Sequence, residues 1–252
     1  MGVEGQMHSK SEGDLRYALA RPMSEEVREI LRRAPIFEGL DERQIDALAG
    51  LSVRRRFHAR ETVLQKGDPA SHIYVIVSGR LKAITSGGTG RQSTFSVMGV
   101  GEVFGEVALL DGQPRSATIS ALEECELLTI GRAEFLHFLE RSPSAAIALL
   151  RVLAGRLRRL SEKVEDGANL EVVGRLAKQL LRLAERYGKK ELDGVRIDLK
   201  LSQQELGDMV GATRESVNKQ LRIWVEAGLI HKRSGNLVLC DPEALSTFGQ
   251  AD

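Results

Sequence analysis

The sequence predicts an α+β protein with three parts: an N-terminal β jelly roll, a long helix and a C-terminal winged helix-turn-helix. Short β runs punctuated by glycine fill residues 53–131, a pattern typical of a sandwich or jelly roll. Over residues 143–166 apolar positions recur at steps of 4, 3, 4, 3 and 4, the period of a coiled-coil helix. Two short helical patterns around Gly211, followed by a β hairpin, indicate the third part.

The composition is that of a globular protein long enough for two cores. The chain has 252 residues, of which 42% are hydrophobic and 28% charged, and its formal net charge is only +1. A surface for nucleic acid must therefore be a local patch. No apolar run reaches the roughly 18–20 residues of a membrane span, and none near Met1 resembles a secretion signal. The lone Cys125 and Cys240 support neither a disulfide framework nor a metal site. We therefore expect a cytoplasmic protein with no membrane partner.

The predicted domain boundaries follow the changes of pattern. They give a flexible tail (1–22), a β roll with flanking helices (23–142), a long helix (143–166) and a second domain (168–252). The Asp166-Gly167 pair predicts a break in the long helix and an interdomain hinge.

The long helix carries one apolar stripe. Its members are Ala146, Leu150, Leu153, Leu157, Leu160 and Val164. A repeat of 3.5 residues favours pairing with an identical helix, and hence a homodimer. The alternative is that the stripe packs on the chain's own β roll. Arginines flank the stripe, which indicates that the other faces of the helix are solvated.

Residues 104–118 combine the groups that a cyclic nucleotide needs. Gly105 has no Cβ, so its backbone N–H can approach a phosphate closely. Glu106 can accept a hydrogen bond from a ribose hydroxyl, and Arg115 can donate a charge-assisted bond to a phosphate oxygen. Val107 and Ser116 adjoin these groups and complete the run. An ordinary loop and strand with a surface ion pair is the alternative interpretation.

Residues 201–221 have the pattern of a helix-turn-helix. Ser202 and Glu205 form a capping box for the first helix, Gly211 supplies the tight turn, and Thr213 caps the second helix. An amphipathic helical hairpin with a solvated charged face is the alternative, but the following β hairpin favours a DNA-binding motif with a wing.

The side chains expected to face DNA form two groups. On the exposed face of the second helix, where a recognition helix meets base edges, lie Arg214, Glu215, Asn218 and Lys219. Placed to bond phosphates are Ser202, Gln204, Thr213 and Ser216. Arg214 and Lys219 can donate to guanine, and Glu215 can accept from cytosine.

The order of β roll, long helix, hinge and winged helix-turn-helix resembles the CRP/FNR family of bacterial transcription regulators over roughly residues 33–245. The resemblance implies a homodimer on a two-fold-symmetric site in double-stranded DNA, with RNA polymerase as a further partner. It also implies a cyclic nucleotide bound between β roll and long helix. Arg214, Glu215 and Lys219 match the family's base-reading positions, although the family pattern has arginine where this chain has Lys219.

A second departure from the family pattern lies at Leu160-Ser161. In the family pattern a Thr-Ser pair at these two positions contacts the adenine. Ser161 keeps a hydroxyl for the base, whereas Leu160 cannot donate a hydrogen bond. Three ligand states stay open. They are cyclic AMP held with Ser161 alone, a guanine cyclic nucleotide that uses other donors (Arg158 and Arg159 are near), and a dimer that binds DNA without ligand. Because Leu160 adds apolar burial to the helix pair, we expect appreciable DNA binding without ligand.

Other function classes explain the residues less well. Iron–sulfur sensing would need clustered cysteines, which the sequence lacks. Haem sensing would need an axial ligand, but His58, His72 and His137 have the setting of ordinary surface or turn residues. The alternative function is a cyclic-nucleotide-binding regulatory subunit whose second domain docks a protein, but such a module has no reason to gather charged side chains on a recognition helix. We find no nucleophile–base pair, metal-ligand cluster or Walker loop, so we do not expect an enzyme.

Overall fold

The computed structural model describes residues 25–86 and 92–249. The predicted flexible tail therefore lies outside the described residues. Within them, a β roll, a long helix and a small domain with a wing follow one another, which confirms the predicted fold class. None of the helices in these two ranges is long and apolar enough to span a membrane.

The β roll consists of two four-stranded antiparallel sheets in the described part of the chain. The strands are β1 (Ser52–Phe57), β2 (Thr62–Leu64), β3 (His72–Ser78), β4 (Leu81–Ser86), β5 (Gln92–Met98), β6 (Val103–Phe104), β7 (Thr118–Ala121) and β8 (Cys125–Gly131). One sheet has the order β1-β8-β3-β6 and the other β2-β7-β4-β5. Side chains such as Ile76, Leu81 and Leu127 fill the space between them and are fully buried.

Helices cover the outer face of the first sheet. They are α1 (Glu25–Arg33), α2 (Glu42–Leu51), α4 (Arg132–Arg141) and the start of α5 (Pro143–Asn169), whereas the short α3 (Glu106–Asp111) lies between β6 and β7. Because β3 and β8 are buried on both faces, their sequences are nearly continuous apolar runs. Leu31, Leu48 and Phe135 pack on that face and form the second core of the roll.

The long helix α5 does not end where the sequence suggested. The expected break at Asp166-Gly167 is wrong, because the helix continues to Asn169 and the chain leaves it at Leu170. A single glycine costs a helix only about 1 kcal/mol relative to alanine. The joint between the two domains therefore lies just after α5.

Asp166 explains why the helix persists. Its side chain is buried, and its carboxylate oxygens lie 2.7 Å from Lys178 Nζ and 3.3 Å from Arg182 Nη2. Both cations belong to the following helix, so these ion pairs fix the last turn of α5 against it. Tertiary contacts thus outweigh the weak helix propensity of Gly167.

The apolar stripe of α5 divides between two faces. Leu150, Leu157, Leu160 and Val164 are 63%, 65%, 60% and 67% exposed. Leu153, by contrast, is half-buried and packs against the β roll, and Ala146 is half-buried. A straight helix drifts by about 20° per heptad from a strict repeat, which turns single members of the stripe away. Most of the stripe therefore stays uncovered by the chain's own roll.

The second domain packs three helices and a four-stranded sheet around one core, with a fourth short helix at its end. Its elements in the described residues are α6 (Val172–Tyr187), β9 (Gly188–Glu191), β10 (Gly194–Ile197), α7 (Gln203–Val210), α8 (Arg214–Glu226), β11 (Ile230–Arg233), β12 (Asn236–Leu239) and α9 (Pro242–Thr247). The sheet has the order β11-β12-β10-β9, and β11 and β12 form the predicted hairpin. Leu206 of α7 lies in the core together with Val217 and Trp224 of α8. Since these two side chains of α8 point inward, the opposite face of α8 lies on the surface of the domain.

Candidate functional site

The predicted phosphate-binding residues come together where β6 meets α3. Gly105 precedes α3 with a φ of +82°, a conformation that favours glycine. A Cβ atom at this position would also lie 2.9 Å from Arg115 Nη1, so a larger residue would force the guanidinium to shift. Glu106 follows directly, and both charged side chains are buried, with Glu106 2% and Arg115 4% exposed.

Arg115 is a buried cation without a carboxylate partner among the described residues. Its Nη1 donates to the carbonyl oxygen of Gly105 over 2.7 Å and its Nη2 to that of His72 over 2.6 Å, while the Tyr74 ring centroid lies 5.9 Å away. Burial lowers the pKa of Arg115, against weaker opposing effects of Tyr74 and nearby carboxylates. Carbonyl dipoles orient the guanidinium but do not neutralise it, so the site attracts an anion such as a phosphate.

Glu106 has a partner that sequence reasoning missed. Its carboxylate is ion-paired with the guanidinium of Arg156, in α5, which also donates to the carbonyl oxygen of Val103. The carboxylate expected to hold a ribose hydroxyl is therefore tied to the long helix. Arg156 lies 50 residues from Glu106 along the chain, and no local pattern distinguishes it from the other arginines that flank the stripe.

The remaining predicted ligand residues lie on the surface. Val107 and Ser116 are exposed at the two ends of the run between β6 and β7. Ser161 is exposed on α5, and its Oγ donates to the carbonyl oxygen of Leu157 over 3.1 Å, within its own helix. The structure thus joins Gly105, Glu106 and Arg115 in one cluster, whereas the hydroxyl of Ser161 is engaged within α5.

The helix-turn-helix starts with the expected capping box. Glu205 N donates to Ser202 Oγ over 3.1 Å, and Ser202 N donates to Glu205 Oε2 over 2.9 Å. Gly211 ends α7 with a φ of +66°, and Thr213 Oγ1 accepts from Ser216 N over 3.1 Å at the start of α8. These caps fix where each helix begins.

The predicted reading face of α8 is open to solvent. Arg214, Glu215, Asn218 and Lys219 are exposed, whereas Val217 is fully buried. Arg214 and Lys219 make no hydrogen bond or ion pair with any residue that the structure describes, and are therefore available to acceptors outside the chain.

One contact holds the first helix of the motif on the β roll. Lys82 Nζ, in β4, lies 2.8 Å from Glu205 Oε1, and both side chains are less than a third exposed. Burial raises the pKa of Glu205, but hydrogen bonds from Lys82 and Ser202 outweigh it and leave the pKa below its ordinary value. The carboxylate therefore stays ionised in this contact.

A second contact lies beside it. Thr94 N, in β5, donates to Asp208 Oδ2 over 3.3 Å, and Gln204 Nε2 donates to Asp208 Oδ1 over 2.8 Å. We call the Lys82–Glu205 and Thr94–Asp208 contacts the interdomain clasp. Gln204, predicted to bond a phosphate, is half-buried and engaged next to the clasp.

Both halves of the chain match known protein families. Residues 54–142 match the cyclic nucleotide-binding domain, and residues 174–248 match the Crp-like helix-turn-helix domain. The chain is 35% identical to the CRP-like cAMP-activated global transcriptional regulator of Mycobacterium tuberculosis, over 86% of this chain and 97% of that protein.

Solved structures show the same architecture. The c-di-GMP-responsive global regulator CLP of Xanthomonas campestris aligns with a TM-score of 0.69 and 28% identity, over 79% of this chain and 99% of that one. A transcriptional regulator of the CRP/FNR family from Thermus thermophilus aligns with a TM-score of 0.66 and 25% identity, over 78% and 98%. The similar proteins differ in the nucleotide that their names give, so they do not identify the ligand of this chain.

Replacing Arg115 with methionine tests the phosphate assignment. A charge-assisted hydrogen bond contributes about 1.5–3 kcal/mol, so we expect the dissociation constant to rise by roughly 10- to 150-fold. Calorimetry would compare cyclic AMP, cyclic GMP and cyclic di-GMP on the wild type and follow the tightest ligand. Arg141→Met makes the same change at an exposed arginine at the end of α4 and should leave binding unaltered. Equal losses in both variants would contradict the assignment.

Replacing Arg214 with alanine tests base reading. We expect discrimination to fall by about 1–3 kcal/mol at one base pair of each half-site, because a base contact carries sequence information. The measurement is affinity for a panel of single-substitution operators at fixed salt. Arg222→Ala, at an exposed position further along α8, serves as the control and should keep the wild-type preference. A uniform loss across the panel for Arg214→Ala would argue for a phosphate contact instead.

Proposed function

The chain belongs to the CRP/FNR family of transcription regulators, and we propose that it binds a two-fold-symmetric DNA site as a homodimer under the control of cyclic AMP. Membership makes it a DNA-binding transcription regulator with a cyclic nucleotide-binding domain, not an enzyme. The observation that carries the proposal is the buried, un-neutralised Arg115 beside Glu106, since a cyclic phosphate and its ribose present the complementary groups.

Cyclic AMP is the ligand that we favour. By its name, the relative from Mycobacterium tuberculosis is cAMP-activated. We assign the Gly105 N–H, Arg115 and Ser116 to the phosphate, Glu106 to the ribose and Ser161 to the adenine, with Val107 at the rim of the site. Leu160 offers no donor, so the adenine contact is weaker than in the family pattern. A guanine cyclic nucleotide is the second candidate, because one similar structure is c-di-GMP-responsive by name.

The exposed stripe of α5 supports the homodimer. Leu150, Leu157, Leu160 and Val164 are all at least 60% exposed in the single chain. Burying a leucine side chain fully contributes about 1.5–3 kcal/mol, so covering these positions with a second copy would stabilise the association substantially. Such a pair would present two copies of α8 to successive half-sites.

Leu150→Glu combined with Leu157→Glu tests the seam. We expect a monomer in sedimentation, because the double variant buries like charges at the centre of the interface. The monomer should also lose binding to a two-half-site operator. Leu192→Glu, at a fully exposed leucine in the turn between β9 and β10, is the matched control and should stay dimeric. A double variant that still sediments as a dimer would place the interface elsewhere.

Two chains of contacts connect the pocket to the rest of the molecule. Arg156 links Glu106 to the helix that carries the seam. The second chain of contacts starts at Arg115, which is followed closely by β7. This strand pairs with β4, and Ser120 in β7 lies opposite Lys82 in β4. Lys82 is a member of the clasp. We propose that the nucleotide acts through both, and that the clasp opens to release Gln204 for a DNA phosphate.

Lys82→Gln tests the clasp. A partly buried ion pair contributes about 1 kcal/mol, so we expect ligand-free operator affinity to rise about fivefold and the effect of cyclic AMP to shrink. Loss of a lysine charge by itself would weaken DNA binding, so a rise in affinity would indicate that the clasp has opened. Lys66→Gln, at an exposed lysine of the same roll, is the control. Unchanged or lower ligand-free affinity for Lys82→Gln would contradict an inhibitory clasp.

Leu160 should raise ligand-free affinity, because it adds apolar burial to the helix pair, whereas the clasp lowers that affinity. We therefore expect the wild-type protein without ligand to bind its operator more tightly than it binds non-specific DNA.

We further propose RNA polymerase as a protein partner and the cytoplasm as the location, since a regulator of this family acts at promoters. Cys125 and Cys240 are both free thiols, which fits a reducing compartment.

A further inference from the structure

We propose that Gln203 is a positioning residue that fixes the orientation of the Asn218 amide, and thereby the class of base that Asn218 reads. The inference rests on the proposed function of α8 in reading DNA and specifies the chemistry of one contact on that helix. It concerns two amides that the chain sets side by side across the helix-turn-helix.

The contact joins the start of α7 to the second turn of α8. Gln203 Nε2 donates to Asn218 Oδ1 over 2.9 Å. Gln203 is half-buried, whereas Asn218 is exposed on the same face as Arg214 and Lys219. The bond therefore ties Asn218, a side chain of the reading face, to the first helix of the motif.

The helices behind these amides leave them little freedom to separate. A Cβ on Gly207 would lie 2.7 Å from the carbonyl oxygen of Ala212, so the backbones are in close contact at the turn. Ala212 N also donates to the carbonyl oxygen of Gly207 over 2.8 Å. Val217, next to Asn218, is fully buried and fixes the rotation of α8. The fold, and not only the side-chain rotamers, brings Gln203 and Asn218 together.

The direction of the bond decides what Asn218 can offer. An asparagine amide has one acceptor oxygen and a nitrogen with two donors. A free asparagine can present both to adenine, accepting from N6 while donating to N7. Gln203 takes one of the two lone pairs of Oδ1 and holds that oxygen on the side of the amide that faces α7. The nitrogen then lies on the side away from α7, and its donors suit bases whose groove edge carries acceptors. The favoured partners are therefore guanine, through O6 and N7, and thymine, through O4.

Gln203→Glu reverses the polarity of the contact. An ionised glutamate only accepts, so it can bond Asn218 only through Nδ2, which turns Oδ1 toward the DNA. We expect the preference at one base position to change from guanine or thymine to adenine or cytosine, by roughly tenfold or more. Gln203→Met removes the bond at similar volume and should flatten the preference at the same position. Asn218→Ala identifies which position that is.

The matched control is Gln220→Glu, which adds the same charge to α8 at a half-buried glutamine to which no DNA contact is assigned. It should weaken all operators similarly and leave the base profile unchanged. The readout is affinity at fixed salt for operators that carry each of the four base pairs at every half-site position.

The outcomes separate the inference from the function on which it rests. A change of preference confined to the Asn218 position in Gln203→Glu, together with a flat profile in Gln203→Met, supports the inference. A wild-type profile in both variants overturns it, while sequence-specific binding by the wild type leaves the proposed function intact. A wild type without any sequence preference would contradict the proposed function itself.

Discussion

Arg115 brings a full positive charge into the β roll, and the arrangement of the pocket follows from it. Moving such a charge out of water is costly unless dipoles or an opposite charge compensate. Gly105 and His72 supply carbonyl dipoles, and the backbone at Gly105 takes a conformation that leaves room for the guanidinium. Because Glu106 is paired with Arg156 instead, the compensation within the roll stays incomplete. An anionic ligand therefore gains more here than at a solvated arginine.

The pocket borders two elements that carry other functions. The Glu106–Arg156 pair lies on α5, whose exposed stripe is the proposed dimer seam, and the strand after Arg115 lies beside β4, which holds the clasp. A ligand can shift a conformational equilibrium only through its differential affinity for two states. In the proposed mechanism, competition between a ribose and Arg156 for Glu106 is one such difference. The Glu106–Arg156 pair is partly shielded from solvent, where a change of partner has more effect than at the surface.

Local sequence patterns predict the secondary-structure elements, but they do not predict which residues of other elements each one contacts. The capping box at Ser202, the turn at Gly211 and the wing hairpin each depend on residues within a few positions, so the sequence predicts them. Arg156, Lys82 and Gln203 act through residues on other elements, which no short window of sequence reveals. Gly167 was misleading for the same reason: its neighbour Asp166 is held by two cations of the next helix, and these outweigh a weak local preference.

The unbroken α5 has a consequence for the geometry of the operator. At 1.5 Å per residue its 27 residues form a rod about 40 Å long, and the buried Asp166 anchors the next helix to its end. In the proposed dimer, the separation and relative rotation of the two reading helices are then properties of the protein. Each base pair advances the duplex by about 3.4 Å and turns it by about a tenth of a revolution. One extra base pair between half-sites would therefore misplace the second half-site in both distance and angle, so in the proposed dimer the buried Asp166 helps to set the spacing that the operator must have.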